Sequence, residues 1–208
     1  KEDPELLENI NKTNDLAKKV VNDYIDVITK VAVTQTYYHG LTNNGVLDIY
    51  DGDVRVMDPE GKIVADFEPS EYTKYYGEHV PNHSYATHTY FKPAGYPDGI
   101  WRANTLARCN VADKMATPLA QKALEEMREL IERPSHHTFA FHYARVLEMV
   151  QAAEWIKTLL EDPDIVSADI KLSDVEPKAG EGVGIVEAPR GTLLHNYECD
   201  EDGIVLKA

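Results

Sequence analysis

Apolar side chains recur at Ile10, Ala17, Val20, Val21, Tyr24, Ile28 and Val31. This three-and-four spacing predicts a helix from residue 5 to about residue 38 with one buried face. Gly40 and Asn43-Asn44-Gly45 are its stop signals. The pattern then shortens to strand-like runs, Val46 to Tyr50 and Val54 to Met57, separated by Asp51-Gly52. Asp58-Pro59-Glu60-Gly61 has the residue order of a type I turn and predicts that Ile63-Val64-Ala65 returns as a partner strand. From Phe67 to about Met115 no period is sustained, and Tyr, His, Pro and Gly are frequent. A long irregular segment of this kind is usually functional or packed on something else. Thr117-Pro118 opens a second helix, with Thr as cap and Pro at the first helical position. Its apolar face is Ala120, Ala123, Leu124, Met127, Leu130 and Ile131, and Pro134 breaks it. A third helix is expected from about Thr138 to Leu160 on Phe139, Tyr143, Val146, Leu147, Val150, Trp155 and Leu159, ending before Asp162-Pro163. Short β-prone pieces follow around Val166–Leu172, Gly184–Val186 and Thr192–Tyr197. The expected fold class is α+β, helix-dominated, with a small antiparallel β hairpin or meander. Residues 1–39 form an amino-terminal helix, 40–115 a β-rich and irregular segment, and 116–208 a helical hairpin followed by a strand and loop, all in one domain.

Composition narrows the function classes. The 208 residues match one domain, or one and a half. Apolar (43%) and charged (27%) fractions are ordinary globular values, which argues against wholesale disorder. The net charge of −15 repels phosphate backbones and anionic lipid, disfavouring nucleic-acid and membrane-surface roles. No apolar run reaches the roughly 18 residues of a membrane span; the richest stretch, 138–160, carries Arg145, Glu148 and Glu154. Lys1-Glu2-Asp3-Pro4-Glu5 is no signal peptide, and the missing initiator Met suggests a chain cut from something longer. Two cysteines, Cys109 and Cys199, make neither a disulfide framework nor a four-cysteine metal site. A reduced, cytoplasmic domain is expected.

Several residue groups could carry chemistry. His79, His83 and His88 lie close in sequence, with Tyr76, Tyr85 and Tyr90 among them, and could bind a transition metal or relay protons. Their spacing matches no helical or finger pattern, so hydrogen-bonding loop histidines are expected. His136 and His137 are assigned to the turn after Pro134, and His142 to a helix interface. Gly180, Gly182 and Gly184 alternate but lack the spacing and flanking residues of a phosphate-binding loop, so nucleotide binding there is rejected. A free thiol such as Cys109 is more commonly buried than reactive. Glu187-Ala188-Pro189-Arg190-Gly191 is the most pointed local feature. Pro189 fixes one torsion, Gly191 permits close approach, and between them stands a permanently charged fork of donors. An arginine in an ordinary turn is the default reading of these five residues alone.

Three longer stretches change that reading. Gly95-Tyr96-Pro97-Asp98-Gly99-Ile100-Trp101-Arg102 runs on through Leu106–Asp113 to Ala116–Ala120. With Phe141–Glu148 and with Gly182–Tyr197, it resembles, in order and separation, blocks of cytoplasmic nickel–iron hydrogenase large (alpha) subunits. The resemblance covers residues 37–208 well and the first helix loosely. It implies a fold that is part of the large-subunit fold, and reversible heterolytic cleavage of dihydrogen at a nickel–iron centre carrying cyanide and carbon monoxide. It implies Arg190 as a catalytic participant above the metals and Pro189 in the pocket for the diatomic ligands. Glu187, Gly191 and His195 match signature positions and are assigned a supporting role. Implied partners are an iron–sulfur small subunit together with an electron-acceptor subunit. The acceptor system (nicotinamide, deazaflavin or heterodisulfide) stays open.

The family's cysteine ligands, in Arg-x-Cys-Gly-x-Cys and Asp-Pro-Cys-x-x-Cys motifs, are not in this sequence, and neither Cys109 nor Cys199 stands at their places. Ala103-Asn104-Thr105 replaces the usual Val-Gly-Pro, and Asn196 stands where relatives often have a second His. The expectation is therefore a central fragment of a large subunit, metal-free and inactive alone. Its uncovered apolar surface makes self-association a hypothesis. The alternative is a metal-free scaffold subunit of a multisubunit redox complex.

Overall fold

A computed structural model describes residues 4–30, 33–172 and 175–208, with backbone only for 26–30. The chain runs through α1 (Pro4–Lys30), β1 (Tyr37–Asn43), β2 (Val46–Leu47), β3 (Asp53–Met57) and β4 (Ile63–Phe67). It continues with α2 (Tyr72–Tyr75), β5 (Tyr76–His79), β6 (His88–Phe91), β7 (Trp101–Arg102) and α3 (Thr105–Val111). The last elements are α4 (Pro118–Leu130), α5 (Ala140–Glu161), β8 (Gly180–Ala188), β9 (Gly191–Cys199) and β10 (Val205–Lys207).

The fold is α+β, as expected, with more sheet than the sequence pattern indicates. One sheet has the order β2-β1-β3-β4, antiparallel, with β7 pairing parallel to β1. The Asp58–Gly61 turn forms as predicted, with Gly61 N donating to the Asp58 carbonyl at 3.0 Å and the Asp58 carboxylate accepting from Lys62 N at 2.8 Å. A second sheet is β10-β9-β8, and β5 and β6 form a separate hairpin.

A first apolar core lies between the helices and includes Ala17 and Val21 of α1, Leu106 and Cys109 of α3, Leu124 and Met127 of α4, and Tyr143 and Leu147 of α5. A second lies under the sheets, around Leu41, Val54, Val56, Phe67, Phe91, Trp101 and Ile185. Between them sits α3, all seven residues of which are buried. Gly40 is what lets it approach β1: a Cβ there would stand 3.0 Å from Arg108 Cγ and 3.1 Å from Val111 Cγ2.

Several sequence expectations are corrected. The described part of the first helix is Pro4–Lys30, and the predicted helix does not reach residue 38: residues 37–43, including Gly40, are strand β1. Five consecutive residues of that strand are buried, so both of its faces meet neighbours and no alternation marks it. Ile10, Ala17 and Val21 do face the core, but Tyr24 is 58% exposed; the Ile28 side chain and Val31 lie outside the described residues. Leu130, Phe139 and Leu159 are exposed rather than core residues. Only Val46 and Leu47 of the first strand-like run pair, because Asp48 turns the chain by accepting from the Tyr50 and Asp51 amides. The β-prone piece from Val166 to Leu172 forms no strand and is exposed. Thr117 is the N-cap of α4, but its hydroxyl is buried and unbonded. Glu154 of α5 caps the helix instead, accepting from Leu119 N at 3.1 Å and Ala120 N at 3.2 Å.

Candidate functional site

Strands β8 and β9 pair in register from Gly180↔Cys199 to Ala188↔Gly191, and Pro189-Arg190 is the two-residue turn that joins them. Proline removes a donor where none is needed and fixes one torsion of the turn. Arg190 is exposed, and its guanidinium has no partner among the described residues.

What holds the turn is buried behind it. The Arg108 side chain is 2% exposed and grips Glu148 in a two-pronged ion pair, Nε to Oε1 and Nη2 to Oε2, both at 2.7 Å. Its Nη1 donates to Glu187 Oε2 and to the Ala188 carbonyl, both at 3.0 Å. The Glu187 side chain is fully buried, and its carboxylate also accepts from Leu41 N at 2.8 Å and Thr192 Oγ1 at 3.0 Å. The Glu187 amide donates to the Ile49 carbonyl at 2.8 Å, tying β8 to the first sheet. Burial opposes the Arg108 charge, but the two carboxylates outweigh it and hold its pKa above the ordinary value. Burial raises the Glu187 carboxyl above its ordinary value; Arg108 and the Leu41 and Thr192 donors oppose that rise without cancelling it.

A second support reaches the turn from the start of the same helix. Asn104, the N-cap of α3, donates from Nδ2 to the Arg190 carbonyl at 3.0 Å, and its Oδ1 accepts from Arg145 Nη2 at 3.1 Å. The carbonyls of Ala188 and Arg190, on either side of Pro189, are thus both held from α3.

The turn stands between two clefts. Pro189 lines one of about 230 Å³, with Thr105, Arg145, Met149 and Trp155 on its walls. Gly191 and Thr192 line a larger one of about 810 Å³, with His39, Tyr76 and Trp101. His39 is buried, its ring stacked 4.2 Å from that of Trp101, and its Nδ1 lies 3.2 Å from the Tyr76 hydroxyl. Burial, with help from Arg108, lowers its pKa to about 3, so it is neutral at physiological pH.

Of the sequence-predicted residues, Glu187, Pro189, Arg190 and Gly191 come together at this turn. His195 lies further along β9, its Nδ1 3.0 Å from the Tyr197 hydroxyl, and opens on a different cleft beside Tyr50 and Gly184. The glycines at 180, 182 and 184 lie in strand β8, with open space where a Cβ would stand. His79 and His88 are cross-strand neighbours in β5 and β6, not loop residues. The His79 ring stacks 3.8 Å from that of Tyr96, and the His88 ring meets that of His83 at 5.7 Å. His136 hydrogen-bonds Tyr38 Oη and the Pro59 carbonyl, whereas His142 is exposed, its ring 6.2 Å from that of Phe139. Cys109 is a buried free thiol, as expected. Arg108, Arg145 and Glu148 have no individual signal in the sequence, although all three fall inside the stretches that carry the family resemblance, and Asn104 shows only as a departure from the usual Val-Gly-Pro.

No family model matches the chain. The chain is 48% identical over 194 residues to the vhu A subunit of the F420-non-reducing hydrogenase of Methanococcus voltae, covering 93% of this chain and 46% of the relative. It is 45% identical over 208 residues to the protein of the same name from Methanocaldococcus jannaschii, covering 100% of this chain and 50% of the relative. The chain therefore spans about half the length of these curated relatives. Among solved structures, an NAD+-reducing [NiFe]-hydrogenase in the H2-reduced state superposes with a TM-score of 0.84 at 31% identity, over 97% of this chain and 45% of that one. The chain is thus homologous to about half of the A subunits of F420-non-reducing hydrogenases and matches part of the [NiFe]-hydrogenase large-subunit fold.

Proposed function

We propose that this chain is the arginine-bearing part of a [NiFe]-hydrogenase large subunit whose complete protein cleaves and forms dihydrogen heterolytically, with Arg190 as a catalytic residue. The observation that carries this reading is the Arg190 turn: an unpartnered guanidinium, always charged, at the tip of a hairpin fixed from behind by the Arg108, Glu187 and Asn104 contacts. A positioned donor of this kind is suited to stabilising charge that develops in a transition state, because it needs no reorganisation at the moment of reaction. Pro189 shapes one wall beside it and Gly191 leaves the other side open, while Glu187 acts from beneath.

The residues of this chain do not themselves fit a thiolate-held nickel–iron centre. The Cys109 thiol is buried and pushed up in pKa by that burial, which disfavours the thiolate a metal requires. Cys199 lies at the far end of β9, its thiol 3.5 Å from the Lys178 carbonyl. Among the described residues no group of three or more His, Cys, Asp or Glu is placed to hold a metal ion. The reading assigns the thiolate ligands of a nickel–iron centre with cyanide and carbon monoxide to protein outside these 208 residues. An iron–sulfur small subunit together with an electron-acceptor subunit completes the assembly.

The test is Arg190→Lys in the complete protein. The expected result is unchanged nickel content with dihydrogen turnover lower by about 10²- to 10³-fold, since the planar fork is lost while the charge is kept. Unchanged turnover would remove Arg190 from the mechanism. A complete protein that binds no nickel would favour the scaffold reading.

A further inference from the structure

We infer that Asn104, which stands where the family resemblance places a glycine, is a positioning residue for Arg190 in this chain, and that its side chain does this at the expense of its own backbone. The inference rests on the reading of Arg190 given above. Asn104 has φ 95° and ψ −179°, a backbone region open essentially to glycine alone. Asn44 also has a positive φ, but at 51° it lies in the small left-handed region that asparagine visits readily, within a turn. At 104 no such tolerance applies, and glycine would satisfy the backbone better than any side chain. The structure shows what the side chain does there.

Each polar atom of the carboxamide is used, and the uses are directional. Oδ1 accepts from the Thr105 amide at 2.5 Å, satisfying the first amide of α3, and from Arg145 Nη2 at 3.1 Å. These two donors fix which end of the amide is oxygen. Nδ2 is thereby aimed outward, at the Arg190 carbonyl 3.0 Å away across 86 residues of sequence. The Arg190 side chain has no anchor of its own among the described residues. Its direction is therefore set by its backbone, and Asn104 bonds that backbone at the arginine itself. Arg108, four residues on, bonds the Ala188 carbonyl before the turn. Two points define a hinge axis and three remove it. With Ala188 held by Arg108 and the strand register closed at Gly191, the Asn104 bond stops the peptide plane after Arg190 from rotating.

The experiment uses the complete hydrogenase with Asn104→Gly, Asn104→Asp and Arg190→Lys. Glycine removes the positioning bond but relieves the backbone. Aspartate keeps both acceptor bonds of Oδ1 and turns a second acceptor, in place of the donor, toward the Arg190 carbonyl. Three quantities are read: the urea midpoint, amide hydrogen exchange of the peptide spanning 189–192, and dihydrogen-driven reduction of a one-electron dye.

The expected result is that Asn104→Gly matches or exceeds the wild-type midpoint, yet exchanges at 189–192 at least 10-fold faster and turns over about 10-fold more slowly at unchanged nickel content. Asn104→Asp shows the same faster exchange and slower turnover. In an Arg190→Lys background, Asn104→Gly has no further effect on turnover. A lower midpoint for Asn104→Gly with unchanged exchange at 189–192 would make Asn104 a simple helix cap and overturn the inference. Faster exchange with wild-type turnover, while Arg190→Lys remains crippled, would also overturn it but leave the Arg190 reading intact. If Arg190→Lys itself is active, the Arg190 reading fails first.

Discussion

Replacing Arg108 by methionine keeps the aliphatic volume of the side chain and removes the charge between Glu148 and Glu187. Glu187 then becomes a fully buried carboxylate without its guanidinium, which by the usual cost of breaking a buried pair destabilises by about 4 kcal/mol. Glu187→Gln alone keeps an oxygen for the Leu41 amide but turns a donor toward Arg108 Nη1. Since Arg108 retains both bonds to Glu148, the cost there is about 3 kcal/mol. In the double variant the buried Glu187 charge and the opposed donors are both gone and only the part-exposed Glu148 carboxylate is left without its partner, so about 4 to 5 kcal/mol is expected instead of the additive 7 or so. The coupling of roughly 2 to 3 kcal/mol is read from urea midpoints of the complete protein at pH 7, where an m-value near 2 kcal/mol/M makes it about 1 to 1.5 M. The single Arg108→Met variant should also gain relative to wild type as pH falls. A carboxyl whose folded pKa lies above its unfolded value contributes stability at low pH and loses it as pH rises through the folded value, and removing Arg108 raises the folded value of Glu187 further. Additivity within about 0.5 kcal/mol, with parallel pH curves, would refute the claim that this ion network fixes the hairpin.

Two further outcomes follow from the fold. His39 has a folded pKa of about 3, below its ordinary 6.5, so its contribution is complete above pH 6.5 and is lost as pH falls toward 3. At pH 4.5 two units at about 1.4 kcal/mol each amount to roughly 3 kcal/mol, and His39→Gln should flatten that part of the stability profile measured by thermal unfolding. Glu154→Gln leaves one acceptor for the first amides of α4 but removes the charge opposite the helix terminus. The expected cost is about 1 kcal/mol, a fall in melting temperature of roughly 2–4 °C by calorimetry.

The sequence is legible where burial is one-sided. In α4, Ala120, Ala123, Leu124 and Met127 face the core while Lys122 and Glu125 face water, and the period shows through. In α3 every residue is buried, so there is no polar face to produce a period, and the helix is hidden in a stretch that reads as irregular. Strand β1 is obscured for the same reason, and its aromatic start merges with the pattern of the helix before it. At the site, Pro189 and Arg190 are visible because turn chemistry is local. Their supports are not, because Arg108 meets Glu148 40 residues away and Glu187 79 residues away. Long-range ion networks leave no spacing signature, and only their presence inside stretches of family resemblance hints at them.

The attachment of the β8–β9 hairpin inverts the usual gradient of motion. Tips of hairpins are ordinarily where order is lost first. Here the tip is bonded to a helix buried between two cores, while Gly180, Gly182 and Gly184 toward the other end have open space on one face. Backbone order parameters are expected to be highest at Glu187–Gly191 and to fall toward Gly180, so the ribbon behaves as a lever clamped at its working end.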